Sequence, residues 1–324
     1  MSLGEFDIIG RYFAKHDSRR DVLLGVGDDA AVMDVPPGHK LVVAMDTVVE
    51  GVHFPAATPA ADIGYRALAV NLSDLAAMGA QPSWMTLSLS LPRATQAWLE
   101  GFAAGLFELA DAHDVALIGG DTVKGPLVVT VQIAGWVEAD RWLARSGARP
   151  GDLLFVSGVP GEAAAGLTVI QKGLPKSGAA DHLRQRFLRP EPRVALGRAL
   201  RPIAGAAMDI SDGLLTDLRK LCVASGCGAR VDVDALPKST AMRQLFDADT
   251  CVDYALAGGD DYEIMFTVAA ARMKDFEALS SSSVGCTQIG VITAGNDVEC
   301  QRGGRPFSVQ REGYDHFSKD EGSP

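Results

Sequence analysis

Long hydrophobic runs are missing from this sequence of 324 residues, although 47% of them are hydrophobic. No stretch approaches the ~18 consecutive apolar residues that a membrane-spanning helix needs, so a soluble protein is expected and no membrane partner. Cysteine is sparse. The five present, Cys222, Cys227, Cys251, Cys286 and Cys300, are odd in number and contain no C-x-x-C pair, which argues against a disulfide framework and against a zinc site. Reduced, mostly buried thiols are expected. Basic clusters are lacking too: 30 Lys and Arg stand against 41 Asp and Glu, a net charge of −11. With no Lys/Arg stripe to follow a phosphate backbone, nucleic acid is not an expected partner. The opening residues, Met1 to Gly10, show no basic segment followed by an apolar one, so no secretory signal is read and the cytoplasm is the expected location.

What is present is a chain long enough for two hydrophobic cores, since single cores stop growing near roughly 250 to 300 residues. Both halves read as mixed α/β. In the first, a helical spacing over Glu5 to Lys15 precedes extended pieces at Val22 to Gly27 and Ala30 to Val35, and a short strand from Lys40 that ends on Asp46. A helix over Asp62 to Met78 carries Asp74 in its last turns; strands at Trp84 to Leu91, Val115 to Ile118 and Leu127 to Val137 flank a helix over Gln96 to Ala112. A turn-rich stretch, Ser146 to Gly151, marks a boundary, which divides the chain into domains 1–147 and 148–324. Beyond it the pattern gives strands Leu153 to Ser157, Ala206 to Ile210, Ala229 to Val233, Tyr262 to Val268 and Thr287 to Ile292. The helices there are Glu162 to Gln171, Arg193 to Arg201, Leu214 to Ala224 and Ala271 to Leu279.

The chemistry is carried by acids that stand beside Gly or small residues at turns and element ends: Gly27-Asp28-Asp29, Asp46-Thr47, Asn71-Leu72-Ser73-Asp74, Gly119-Gly120-Asp121, Asp209-Ile210-Ser211-Asp212-Gly213, and Gly258-Gly259-Asp260-Asp261-Tyr262-Glu263. Hard oxygen ligands without His or Cys beside them suit magnesium, whose shell is completed by water and substrate phosphates. An acidic protein that handles phosphates must bring cations with it. Each acid alone has a local explanation: Asp212 before Gly213 fits a simple helix N-cap. The local explanation leaves their number at strand ends unexplained. Two phosphate motifs nearly occur. Gly161 to Thr168 has P-loop spacing, but Leu167 takes the place of the essential lysine. Gly25-Val26-Gly27-Asp28-Asp29-Ala30 matches a loose dinucleotide fingerprint, yet the segment after it is too short before two prolines to form the helix whose amides hold a pyrophosphate.

Taken in order, these segments resemble the thiamine-monophosphate kinase family, within the superfamily of aminoimidazole ribonucleotide synthetase. The resemblance covers nearly the whole chain. It begins at Gly4-Glu5-Phe6 and Arg11-Tyr12-Phe13, runs through the acidic segments with His53-Phe54, Ala69 to Ala80 and Arg145 to Ala148, and closes on Gly313-Tyr314-Asp315-His316-Phe317. It implies two mixed α/β domains, the N-terminal ones pairing in a homodimer, and an ATP-dependent conversion of thiamine monophosphate to thiamine diphosphate. By the same resemblance several magnesium ions are held by Asp29, Asp46, Asp74, Asp121, Asp209 and Asp212, with Asp28 beside them. Gly120, Asp121, Arg145 and Ser211 touch ATP, and His53, Asp260 and Tyr314 meet the thiamine phosphate. Outside the resemblance, Arg145 reads as a solvated charge, His53 as a satisfied loop histidine and Tyr314 as an anchor for the tail.

Three positions, in two places, depart from the family pattern. Ala44 and Met45 stand before Asp46 where relatives often carry Ser or Thr, and some relatives have Glu in place of Asp260. No general base is implied, because a phosphate monoester with a second pKa near ~6 is already anionic at neutral pH, and direct in-line transfer needs no covalent carrier. Other ATP-using enzymes of the superfamily, and a non-catalytic MgATP sensor, are the alternatives. The N-terminal region has no Cys for a selenophosphate synthetase, and the chain lacks the terminal cysteine tail of the hydrogenase maturation factor.

Overall fold

The computed structural model describes residues 4–14, 19–280, 285–309 and 313–314. Lys15, the end of the first expected helix, and residues 315–317 of the closing motif lie outside them. Two compact units are present, one of Met1–Leu143 with Leu188–Pro202, the other of Ala144–Phe187 with Ile203–Pro324.

In the first unit, α1 (Glu5–Ile8) passes into a π-helical turn, Ile9–Phe13, and β1 (Val22–Leu24) pairs antiparallel with β2 (Val32–Met33). There follow β3 (His39–Val49), α2 (Ala60–Ala77), β4 (Gln81–Leu91), α3 (Gln96–Ala112), β5 (Ala116–Lys124) and β6 (Val128–Glu138). The four longer strands form a sheet in the order β3-β6-β4-β5, with β4 and β5 parallel and the other pairs antiparallel. On one face Val129, Val131, Ile133 and Val137 of β6, spaced by two as a half-buried strand requires, are buried; Ile63, Leu68, Leu72 and Leu75 of α2 are buried as well. Helices α2 and α3 cross closely because Gly64 and Gly105 lack side chains. A Cβ at Gly64 would overlap the Phe102 carbonyl, and one at Gly105 the Ala61 carbonyl.

Two expectations change here. The strand from Lys40 does not end on Asp46 but runs to Val49, and the strand from Val115 does not stop before Gly119-Gly120-Asp121 but carries that segment to Lys124. A register shift beside Met85 and Thr86 of β4 lets the glycines continue the ladder. Gly120 has φ +150°, and a Cβ there would collide with the Leu87 carbonyl, so glycine is required.

The second unit holds β7 (Leu153–Ser157), α4 (Glu162–Gln171) and α5 (Gly178–Leu188). After α6 (Val194–Leu200), which belongs to the first unit and packs on α2, come β8 (Ala204–Ile210), α7 (Leu214–Ser225), β9 (Gly228–Asp232), α8 (Thr240–Leu245), α9 (Ala248–Ala257), β10 (Glu263–Val268), α10 (Met273–Ser280), β11 (Cys286–Thr293), β12 (Val298–Arg302) and β13 (Arg305–Pro306). The seven strands lie in the order β13-β12-β9-β11-β7-β10-β8. Leu214, Leu218 and Leu221 of α7, spaced for one helical face, pack with Met208, Ile210, Val231 and Met265 of the sheet. Phe155, Phe266 and Phe276 form an aromatic group, with centroids 4.8 to 5.5 Å apart.

All five cysteines are free, and Cys286 alone is partly exposed. Burial pushes the Cys222 thiol up to about 12, which keeps it protonated and unreactive at neutral pH. No helix among the described residues is long and apolar enough to cross a membrane.

Candidate functional site

The register of the four-stranded sheet fixes where its acids stand. Asp46 on β3 pairs with Val131, Val131 with Leu87, and Leu87 with Gly120. One step along, Thr47, Thr130, Ser88 and Asp121 form a polar rung, in which the Thr47 and Thr130 hydroxyls lie 2.8 Å apart. Alternation therefore places Asp46 on the helix-covered face with Val131, and Asp121 on the opposite face. They also sit on opposite edge strands, three spacings of about 4.8 Å or roughly 14 Å apart.

Strand β3 is an edge, and its Asp46 N–H donates to Asn71 Oδ1 at 2.9 Å, while Asn71 Nδ2 donates to the Ala67 carbonyl at 2.9 Å. Asn71 is fully buried on α2. Asp74, three residues on, shares its side of the helix, so Asp46 and Asp74 are gathered at one corner. At the same end of β3 the His53 Nδ1 accepts the Val49 N–H at 3.0 Å, which leaves Nε2 to carry the proton of the neutral ring. Asp28 and Asp29 occupy the exposed turn between β1 and β2, where Asp28 accepts the Asp29 N–H at 3.1 Å. Val22, Ala31 and Met33 around that turn pack against Trp84, Ala116 and Ile118, on the sheet near the strand that carries Asp121.

In the second unit Asp209 lies buried on β8, and the chain turns through Ser211-Asp212-Gly213 into α7. Asp212 does not cap the helix. Gly213 occupies the N-cap without a side-chain bond, and Asp217 in the first turn accepts the N–H groups of both Ser211 and Asp212 through Oδ2, each at 2.9 Å. Its Oδ1 takes Lys220 Nζ at 2.8 Å, and the same ammonium bonds Asp212. Burial, the largest influence, pushes the Asp217 carboxyl above its usual range against the pull of Lys220. Burial works against the Lys220 charge, but its bonds to Asp212 and Asp217 hold it above its usual value.

Two more segments join this turn. The Asp260 N–H donates to the Ser211 carbonyl at 2.8 Å, and the Tyr314 N–H to the Asp212 carbonyl at 2.9 Å. Ser211, Asp212, Asp260 and Tyr314 are thus brought together. Arg145 is not: its carbonyl accepts the Ser225 hydroxyl at 2.9 Å, at the far end of α7, about 18 Å along a helix of 12 residues from Ser211.

Among the described residues no three His, Cys, Asp or Glu side chains converge as a preformed metal cage. The donors offered are carboxylates and hydroxyls, which fit magnesium better than zinc or copper, and magnesium takes few protein ligands when phosphate oxygens complete its shell.

The family models for AIR synthase related proteins match the chain twice, the N-terminal domain at residues 27–137 and the C-terminal domain at 149–303. A thiamine-monophosphate kinase from Salmonella typhimurium is 49% identical, over 98% of this chain and 99% of the relative. The chain belongs to the thiamine-monophosphate kinase family. The crystal structure of thiamine-monophosphate kinase from Stenotrophomonas maltophilia K279a is 48% identical, with a TM-score of 0.87 over 94% of this chain and 98% of that one. A structure of AaThiL complexed with AMPPCP and TMP is 31% identical, with a TM-score of 0.77 over 98% of this chain and 99% of that one.

Within this member of the thiamine-monophosphate kinase family, sequence reasoning missed the residues that hold the acidic turns. Asn71 lay inside a motif, yet only the fold shows it bonded to an edge strand; Asp217 and Lys220 were not singled out, since an acid in a first turn and a base three residues on are ordinary in a helix. Replacing Asp217 by Ala leaves two partly buried N–H groups without their acceptor, at up to about 1–3 kcal/mol each. Asp217→Ala is therefore expected to lower the urea midpoint clearly, with Asp217→Asn losing less because one acceptor remains. An unchanged midpoint for Asp217→Ala would remove its structural role.

Proposed function

We propose that this chain transfers the γ-phosphoryl group of ATP to the phosphate of thiamine monophosphate, giving thiamine diphosphate and ADP. What carries the reading is the likeness, over almost the whole of both chains, to AaThiL complexed with AMPPCP and TMP, AMPPCP being an ATP analogue with carbon between its last two phosphorus atoms. Gly120, Asp121 and Ser211 take the nucleotide phosphates. Arg145, beside the end of α7 that lies away from Ser211, takes a different part of the same nucleotide. His53 donates from Nε2 to the acceptor phosphate, with Asp260 and Tyr314 on the same substrate.

Asp29, Asp46, Asp74, Asp121, Asp209 and Asp212 hold magnesium, with Asp28 beside them. Bound there, magnesium offsets the repulsion between two polyanions and the charge on the phosphoryl group in flight. Asp46 and Asp121 face opposite ways on opposite edges of the sheet, too far apart to share one ion at magnesium–oxygen bonds of about 2.1 Å. Within one chain they therefore serve separate ions. The acceptor oxygen is anionic at neutral pH, so no side chain has to remove a proton and transfer is direct and in-line. The free thiols fit a reducing, cytoplasmic setting.

Incubation with MgATP and thiamine monophosphate is expected to yield thiamine diphosphate and ADP by mass, with free thiamine a poor acceptor and inversion at a chiral γ-phosphorus. Binding of MgATP without turnover, as in a sensor, contradicts the reading. Asp74→Asn and Asp212→Asn are each expected to keep the fold, lower turnover by about 10²-fold or more, and bind Mn2+ more weakly when titrated by paramagnetic resonance. Wild-type Mn2+ binding in both would exclude them as ligands.

The chain also forms a homodimer in this reading. The apolar residues of β6 are spent inside the unit, so the pairing surface is β3, where Leu41, Val43 and Met45 are 53%, 48% and 64% exposed at alternate positions of an edge strand. Sedimentation is expected to show a dimer at micromolar concentration and a monomer for Val43→Glu with Met45→Lys. A wild-type monomer would overturn it.

A further inference from the structure

The loop between α9 and β10, Gly258-Gly259-Asp260-Asp261-Tyr262, holds two residues in the left-handed region: Asp260 has φ +69° and Tyr262 φ +53°. For residues with a Cβ this conformation costs roughly 1–2 kcal/mol each, so outside bonds must sustain it. On one side the Asp260 N–H reaches the Ser211 carbonyl and the Tyr262 N–H the Ile210 carbonyl, both at 2.8 Å. Two such bonds fix the height of the loop over β8 but not its rotation about that line.

Asp261 points the other way and is nearly wholly buried. Its Oδ2 accepts the Gly161 N–H at 2.6 Å and its Oδ1 the Ala163 N–H at 3.1 Å. These donors open α4, whose N-cap Gly161 brings no side chain of its own, so Asp261 caps the helix from a segment about a hundred residues away. The other buried acids nearby are already engaged. Glu263 takes the Ser157 hydroxyl at 2.5 Å and Arg186 at 2.6 Å, and Glu162 takes His182 at 2.7 Å and Arg186 at 3.2 Å. Asp261 thus ties the loop, rather than the strand after it, to a second element.

We propose that Asp261 is a positioning residue for the acceptor: by clamping the α4 N-terminus with both oxygens it sets the rotation of the loop and hence the place of Asp260. The proposal rests on the reading of Asp260 as a contact of the acceptor phosphate. Asparagine has nearly the same shape but a single acceptor oxygen, and its amide would face one of the two N–H groups, so Asp261→Asn breaks the clamp without opening a cavity.

The test compares Asp261→Asn, Asp260→Asn and Glu263→Gln with wild type, by amide hydrogen exchange of residues 258–262 and by KM for thiamine monophosphate and for ATP. Asp261→Asn is expected to speed exchange in the loop and to raise KM for the acceptor about tenfold, a loss of about 1.4 kcal/mol, with KM for ATP within about twofold. Glu263→Gln is expected to lower the melting temperature with neither effect. Should Asp261→Asn not fold, Ala163→Pro removes one donor of the clamp in the first helical turn, where proline is tolerated, and carries the same expectation. Unchanged loop exchange and acceptor KM in Asp261→Asn, with a raised KM in Asp260→Asn, overturns the proposal, as does an equal response from Glu263→Gln. Faster loop exchange with acceptor KM unmoved in both Asp260→Asn and Asp261→Asn leaves the clamp standing and instead sinks the assignment of Asp260.

Discussion

A buried carboxylate has to find its hydrogen-bond donors close by, and the donors that a folded chain can always supply are its own amides. Asp217 and Asp261 meet that constraint in the same way. Each lies in the interior, accepts two backbone N–H groups near a helix start, Asp217 with one oxygen and Asp261 with both, and so holds a turn that carries a partly exposed acid. The burial that raises both carboxyls also makes their bonds stronger than the same contacts in water. Acids nearer the surface are held by acids in the interior.

The first unit solves the same problem with a neutral side chain. Asn71 can donate and accept at once, so it satisfies its own helix and the edge of β3 together. A carboxylate there would lack the donor for the Ala67 carbonyl and would add charge beside Asp46 and Asp74. Uncharged support suits a corner that already carries two acids.

Reading the sequence recovered the elements whose pattern is strong. The helix at Gln96–Ala112 and the strand at Leu153–Ser157 come out with their observed limits, because the first keeps a helical period throughout and the second is a short apolar run bounded by turn residues. Gly119-Gly120-Asp121 was misplaced at a strand end, since glycine is read as punctuation and the β4 register that accommodates it belongs to another part of the chain. Helices at Gly178–Leu188, Thr240–Leu245 and Ala248–Ala257 went unread; the first is polar on most of its surface, and the others bury only a few side chains each. The candidate acids were legible through small neighbours and motif order. Their partners were not, because the bond from Asp261 to Gly161 spans a sequence separation that no local pattern encodes.

The return of Leu188–Pro202 to the first unit has a bearing on how the chain is made. Arg189 from that segment reaches Asp62 at 2.6 Å and Glu108 at 2.8 Å, and Gly197 packs so closely on Ala76 that a Cβ would overlap its carbonyl. The N-terminal unit is therefore unfinished when Leu143 leaves the ribosome. At about 5–20 residues per second, the stretch to Pro202 takes roughly 3–12 s more. Through that interval the side of α2 that α6 will cover stays open, and the C-terminal unit begins to emerge before the first is closed. The order of synthesis and the order of completion are interleaved.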